Sequence, residues 1–423
     1  MNDDSPPPPR PAATSPDGEP RSFAPNRLSP AGFVLAFGVV SMLADMVYEG
    51  ARAITGPYLA LFGASAAMVG FVTGLGEAVA LVFRLVTGRL ADRTHRYWAL
   101  SIAGYAMTVI AVPLVGAAQA FWQAAALIVA ERFGKAVRTP ARDTMLAQAT
   151  VEMGRGLGFA IHEALDQVGA VVGPLLVAGM IALSGYRAGF AVLAVPGALT
   201  LLMLAWLRRA VPKPAAYEPA RREEAAPAGD GLAALPRRFW LYAVFSALSM
   251  LGFPTFAVLA YHQEASHVIA PAWIPVTFAA AMGVDALAAL GSGYLYDLVG
   301  LRGLAVALPL TATVPFLSFS NAPPLVWAGA IAWGTVMGIH ESTMRAAVAD
   351  LVPATMRGTG YGVFTAIYGL AWLAGSTIIG ELYSTSFPAV AGFTVATQAA
   401  ALVPLALLGR DAGPAQWPSR KIE

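Results

Sequence analysis

Apolar runs of roughly 20 residues, the length a helix needs to cross a bilayer core about 30 Å thick, recur along this chain. They start near Ala31, Ala66, Tyr97, Ala120, Gly156 and Ala188. A polar stretch rich in Pro and Ala follows from about Lys213 to Arg238, and six more runs start near Phe239, Ala272, Gly303, Pro324, Gly360 and Phe387. The pattern predicts an all-α integral membrane protein of twelve transmembrane helices: two six-helix bundles over 31–210 and 239–409, joined by a linker over 211–238. The first thirty residues, with Pro6 to Pro9, read as a disordered tail 1–30, and 410–423 as a second polar tail. The first apolar run is too long for a signal peptide and reads as a spanning helix.

The basic residues set the orientation. Twenty of the 27 Lys and Arg fall in the tails, the linker and the turns on that same side, whereas Arg187 alone falls on the other. The remaining six (Arg52, Arg84, Arg132, Lys135, Arg138 and Arg345) lie within helices. This asymmetry predicts a multi-pass protein of a bacterial inner membrane with both termini cytoplasmic. Only 12% of residues are charged, about half the ~25% of a soluble domain, so the lipid bilayer is the expected surroundings. The net charge of +2 shows no clustering that would suggest nucleic acid, and the absence of cysteine excludes disulfides, zinc–thiolate sites and cysteine catalysis.

The halves echo each other. Arg155-Gly-Leu-Gly-Phe159 matches Arg357-Gly-Thr-Gly-Tyr361, and Gly88…Asp92 matches Gly293…Asp297, at offsets of 202 and 205 residues. A six-helix unit repeated in parallel suits alternating access, in which one half rocks against the other around a central site.

Ionisable side chains at bilayer depth are costly, so they face a cavity or a partner. Asp45, Glu49 and Arg52 lie at i, i+4 and i+7 on helix 1, and Glu77 and Arg84 stand seven apart on helix 2. Helix 4 carries Glu131, Arg132, Lys135 and Arg138; helix 5 carries His162, Glu163 and Asp166; helix 8 has Asp285; helix 10 has His340, Glu341 and Arg345. At the 202 offset, His162, Glu163 and Asp166 align with Phe364, Thr365 and Tyr368, so the first half is expected to carry the coupling chemistry. Desolvation disfavours a charged carboxylate and a basic neighbour favours it, so an acid whose arginine can switch away is a proton carrier. Arg132 beside Glu131 and Arg52 with Glu49 fit this description, while a static salt bridge between helices is the competing reading. Neither His162-Glu163 nor His340-Glu341 has a second histidine at metalloprotease spacing, so no metal and no cofactor are expected. Trp240, Phe245, Phe253, Phe256 and Tyr261 on helix 7, with Trp333 on helix 10, are candidates for an apolar wall, and Pro254 for a kink.

Gly88-Arg-Leu-Ala-Asp92-Arg93-Thr-His-Arg96 resembles the signature loop of the major facilitator superfamily, with His95 where glycine is usual. Arg132-Phe-Gly-Lys135-Ala-Val-Arg138-Thr-Pro140-Ala-Arg142-Asp143 resembles the helix 4 motif of its bacterial multidrug or efflux permeases, and Gly169-Ala-Val-Val-Gly173-Pro174 the helix 5 motif of its antiporters. The resemblance implies that helices 1, 4, 7 and 10 line the cavity, near Asp45, Glu49, Glu131 and Glu341. It also implies an inner latch in which Asp92 faces the start of helix 11 while Arg93 and Arg96 pair with Asp143. The implied function is proton-coupled export of small organic molecules by a monomer, with a small-molecule substrate and protons as partners. An importer, or a siderophore or organic-anion carrier using Arg132, Lys135 and Arg138, is the alternative. A membrane-embedded enzyme lacks a G-x-S-x-G or paired-His motif here, and a channel or receptor needs no duplicated halves.

Overall fold

The computed structural model describes residues 26–151, 154–217, 232–353 and 356–410. Most of the first tail, read above as disordered, therefore lies outside the described residues, as do most of the linker and the second polar tail. The first half contains α1 (Pro30–Ala60), α2 (Ala66–Val82), α3 (Arg84–Thr94), α4 (Tyr97–Val115), α5 (Phe121–Ala149), α6 (Arg155–Val192) and α7 (Ala194–Ala210). The second contains α8 (Arg237–Leu251), α9 (Phe256–Ala265), α10 (Ile274–Val299), α11 (Ala307–Ser318), α12 (Pro323–Leu351), α13 (Arg357–Thr385) and α14 (Phe387–Arg410). No strand occurs among the described residues.

Among the described residues, eight segments are long and apolar enough to cross a membrane. Two of them, Leu157–Ala210 and Pro271–Ser318, hold two crossings each, the first turning back at Gly185 (φ 79°). The helices α5 and α12 complete twelve crossings; each carries several charged residues, which lower its apolar surplus. On α5 those residues are buried or half-buried against neighbouring helices.

The helices alternate between a linker face, holding the starts of α1 and α8 and the end of α14, and the opposite far face. Ser29 starts α1 by accepting from the Gly32 N–H, followed at once by Pro30. The expected kink at Pro254 is a break: α8 ends at Leu251, α9 begins at Phe256, and the freed Pro254 carbonyl accepts from Trp333 Nε1 at 2.9 Å. At the signature loop, His95 takes the left-handed conformation (φ 51°) that suits glycine and ends α3, its N–H donating to the Ala91 carbonyl. The tight turn survives the substitution.

The glycines of the helix 5 motif have a packing role. A Cβ on Gly169 would overlap the Met42 carbonyl oxygen, and one on Gly173 the Met46 carbonyl oxygen, so α6 lies backbone to backbone on α1. Gly179, further along α6, faces open space. We predict that Gly173→Ala lowers stability by about 1–3 kcal/mol through overpacking. Gly179→Ala is expected to leave the thermal unfolding midpoint of the detergent-solubilised protein unchanged or slightly raised.

Candidate functional site

The inward faces of α1, α2 and α5 bring five charged residues into one chain at the centre of the first half. Arg52 Nη1 lies 3.5 Å from Glu49 Oε2, and Arg52 Nη2 lies 3.3 Å from Glu77 Oε1. The same Glu77 oxygen lies 3.3 Å from Arg132 Nη2, and Arg132 Nε is 3.3 Å from Glu131 Oε2. The Arg52 Nη2 and Arg132 Nε contacts are close enough for ion pairing without the alignment of a hydrogen bond. Arg132 donates a hydrogen bond to the Tyr48 hydroxyl and lies over its ring, with its central carbon 4.3 Å from the centroid, while Lys135 Nζ lies 3.8 Å from that centroid. All five charged residues are buried. The sequence placed Glu77 on one face with Arg84; the fold gives Glu77 to Arg52 and Arg132 instead, because α1 and α5 close over α2 at that height.

A second cluster lies toward the linker face. Arg138 Nη2 sits 3.9 Å from Asp45, its Nη1 donates to Thr108 Oγ1 at 2.7 Å, and its guanidinium covers Tyr105. Arg142 holds Asp143 at 3.0 Å and Asp166 at 3.7 Å, and His162 lies 3.5 Å from Asp166. Asp143 is thus taken by its neighbour, while Arg93 and Arg96 are exposed and form no ion pair among the described residues. The expected pairing of these arginines with Asp143 is not made in this conformation, and Asp92 is likewise exposed.

In both His-Glu pairs, adjacent side chains diverge as the 100° helical step requires. His162 is buried against Ser41, and His340 against Ser249 at 3.1 Å, whereas Glu163 and Glu341 are exposed. Glu341 is ten residues, about 15 Å, from the linker-face end of α12. Glu341 lies within electrostatic range of Glu163, Lys135, Arg52 and Glu49. Asp285 on α10 is buried, and its Oδ2 accepts from Gln167 at 3.3 Å across the two halves.

The far face is closed. A Cβ on Gly56 would overlap the Ala257 carbonyl oxygen, and one on Gly70 that of Ser376, so α1 and α2 touch α9 and α13 with no side chain between. Thr73 and Thr255 share a 2.8 Å hydrogen bond, and the Tyr186 hydroxyl donates to Glu264. Between this seal and the charge chain lies a cavity of about 20 Å³, lined in part by Arg52, Glu77, Glu131, Arg132, Thr73 and Thr255, with room for one water molecule.

The second half answers this charge with rings. Phe253 stacks on Trp333 (5.4 Å) and Trp372 (6.3 Å), and Phe256 packs edge-on to Trp333. Phe245, Phe253, Phe256 and Trp333 of the expected wall are fully buried, Tyr261 is half-buried, and Trp240 faces outward. Sequence reading missed Tyr48, Phe278 and Trp372, whose only signal was an aromatic residue within an apolar run.

The profile of the Major Facilitator Superfamily matches residues 32–376. An uncharacterized protein of Mycobacterium tuberculosis is 51% identical over 373 residues, covering 88% of this chain and 91% of that protein. An uncharacterized MFS-type transporter of Methanocaldococcus jannaschii is 25% identical, covering 84% and 89%. Among solved structures, a bacterial homolog of the human lysosomal transporter Spinster, in an inward-facing and occupied conformation, superposes with a TM-score of 0.68 at 17% identity, over 90% of this chain and 98% of that one. The nucleoside transporter NupG superposes with a TM-score of 0.72 at 15% identity, over 88% and 99%. At these identities the superpositions speak for the fold alone.

Removing the shared carboxylate should leave two buried guanidiniums short of a counter-charge. Glu77→Gln is expected to cost about 3–5 kcal/mol. Glu341→Gln, at an exposed carboxylate with no ion-pair partner among the described side chains, is expected to leave stability near the parent's. Denaturation of the two purified variants side by side checks the contrast.

Proposed function

Since the chain belongs to the major facilitator superfamily and is a membrane transport protein, we propose that it couples the movement of protons to the export of small organic molecules by alternating access. The observation that carries this reading is the buried chain Glu49–Arg52–Glu77–Arg132–Glu131, set beside the contact between the halves. Glu77 is shared by two arginines, and Arg132 by two acids. Protonating any one acid frees an arginine to lean on the next, so the network has more than one stable pairing, as a switch requires. A purely structural bridge needs only one pairing.

The closed far face and exposed Glu341 fit a site that loads from the linker face. The excess of Lys and Arg on that side supports its being cytoplasmic. Loading from the cytoplasm, with protons returning as cargo leaves, is an exporter's cycle. The latch of Asp92, Arg93 and Arg96 belongs, in this proposal, to the opposite conformation, where the linker face closes and α3 approaches the start of α13. The tightly packed Gly169 and Gly173 keep α6 and α1 moving as one body.

The anion-carrier alternative needs free cations in the path. Arg52 and Arg132 are paired with acids, as is Arg138 with Asp45, while Lys135 covers Tyr48, which favours the first reading.

Expression in a bacterial host stripped of its own efflux pumps, scored against dyes, antibiotics, organic acids and divalent metals, tests the proposal. Raised resistance to at least one class, lost in Glu49→Gln, is the expected outcome. Sensitisation would reverse the direction of transport. Resistance retained in Glu49→Gln would remove that acid from coupling.

A further inference from the structure

The guanidinium of Arg52 is surrounded on its open sides by four rings. Its central carbon lies 6.0 Å from the Tyr48 centroid, 5.9 Å from Phe278, 5.7 Å from Trp333 and 5.7 Å from Trp372. Tyr48 belongs to the first half and the other three to the second. Cation–π attraction acts out to about 6 Å, so all four rings stand near the limit of their reach. Lys135 and Arg132, by contrast, rest at 3.8 and 4.3 Å on Tyr48. These rings therefore hold Arg52 less closely than Tyr48 holds Lys135 and Arg132.

Two further observations point to a missing occupant. Trp372 Nε1 and the Tyr368 hydroxyl are buried donors without hydrogen-bond partners, on rings 6.0 Å apart. Asp285 Oδ1 is buried and unpartnered as well. Such groups are costly to leave unmet unless water or ligand completes them. Around them, Glu163, Asp285 and Glu341 have no Lys or Arg within ion-pair distance among the described side chains; Arg52, Arg132, Arg138 and Arg142 all have acids, and Lys135 rests on the Tyr48 ring.

We propose that this aromatic box is the cargo site, that Arg52 is a tethered occupant of it, and that the cargo is an organic cation whose charge is spread over a planar group such as a guanidinium or amidinium. The inference rests on the transport reading above and names its substrate class. A cargo cation entering from the linker face meets Glu341, then the faces of Phe278, Trp333 and Trp372. As it takes the box, Arg52 withdraws onto Glu49 and Glu77, which already hold it from its own half. Without cargo, Arg52 ties the halves through these π faces and the charge of Glu341; with cargo bound, the cargo does so. The binding event and the contact between halves are then one exchange. A neutral molecule gains little from the rings' charge distribution, and an anion meets the carboxylates of Glu163, Asp285 and Glu341 with only Lys135 to offset them.

Equilibrium binding to the purified full-length protein, by titration calorimetry, tests this without a proton gradient. Phenylguanidinium, its neutral isostere phenylurea and benzoate serve as probes. Phenylguanidinium is expected to bind about tenfold more tightly than phenylurea, with benzoate not bound. Trp333→Leu should weaken the cation about tenfold while Trp333→Phe retains most of its affinity. Arg52→Met, which removes the tethered competitor, should tighten cation binding; a structural arginine would weaken it on removal. Equal binding of phenylurea, preference for benzoate, or weaker cation binding in a cooperatively melting Arg52→Met variant would overturn the proposal. If Arg52→Met does not fold, the three probes on the parent protein and the two Trp333 variants decide it. Cation binding without proton-dependent resistance would sink the transport reading alone. Resistance to neutral or anionic compounds without cation binding would sink this inference alone.

Discussion

A guanidinium at the centre of a membrane protein has to be neutralised, and in this chain the requirement falls chiefly on one carboxylate. Glu77 lies 3.3 Å from both Arg52 and Arg132, and through them the acids Glu49 and Glu131 are drawn into one buried chain. Desolvating charge costs several kcal/mol per ion, and recovering that cost needs good geometry across several helices. The relative heights of α1, α2 and α5 follow from this need. So does the close packing behind them, since α1 can present Glu49 and Arg52 inward only if its other face lies flush on Gly169 and Gly173 of α6.

The two halves meet this constraint differently. At the 202-residue offset the position of Glu131 falls on Trp333, so the repeat places a ring where its partner places an acid. One half is a charge store and the other an aromatic surface, with Arg52 at their junction. Charge paired within one half lets that half move without stranding an ion, and π faces on the other offer attraction with little directional demand. The closed far face adds backbone contacts at Gly56 and Gly70, which are strong at contact and vanish on small displacement. That combination suits two rigid bodies that part and rejoin.

Much of this was legible in the chain itself. Helices begin at Ala66, Tyr97 and Phe387 as the apolar runs predict, and within three residues of prediction at Pro30, Phe121, Arg155, Arg237, Ile274, Pro323 and Arg357. Periodicity also put Asp45, Glu49 and Arg52 on one face. What stayed hidden was tertiary. Helical spacing offered Arg84 to Glu77, but side chains from α1 and α5 arrive first. His95 kept a turn that residue preference assigns to glycine. Trp372 and Phe278 read as ordinary apolar positions, because nothing local marks a ring that faces a cation from another bundle. The break at Pro254 is deeper than a kink, since Trp333 takes up the Pro254 carbonyl that the interrupted helix leaves unpaired.

The central claim is that the halves rock against each other as the buried acids gain and lose protons. With no native cysteine, introduced ones carry spin labels uniquely. One doubly labelled variant would join Leu61→Cys and Trp273→Cys across the far face, and another Arg93→Cys and Arg302→Cys across the linker face, all at exposed positions. Distances measured by pulsed electron resonance across a pH series are expected to change in antiphase, the far pair lengthening as the linker pair shortens. Two distances that stay fixed, or that lengthen together, would contradict the account.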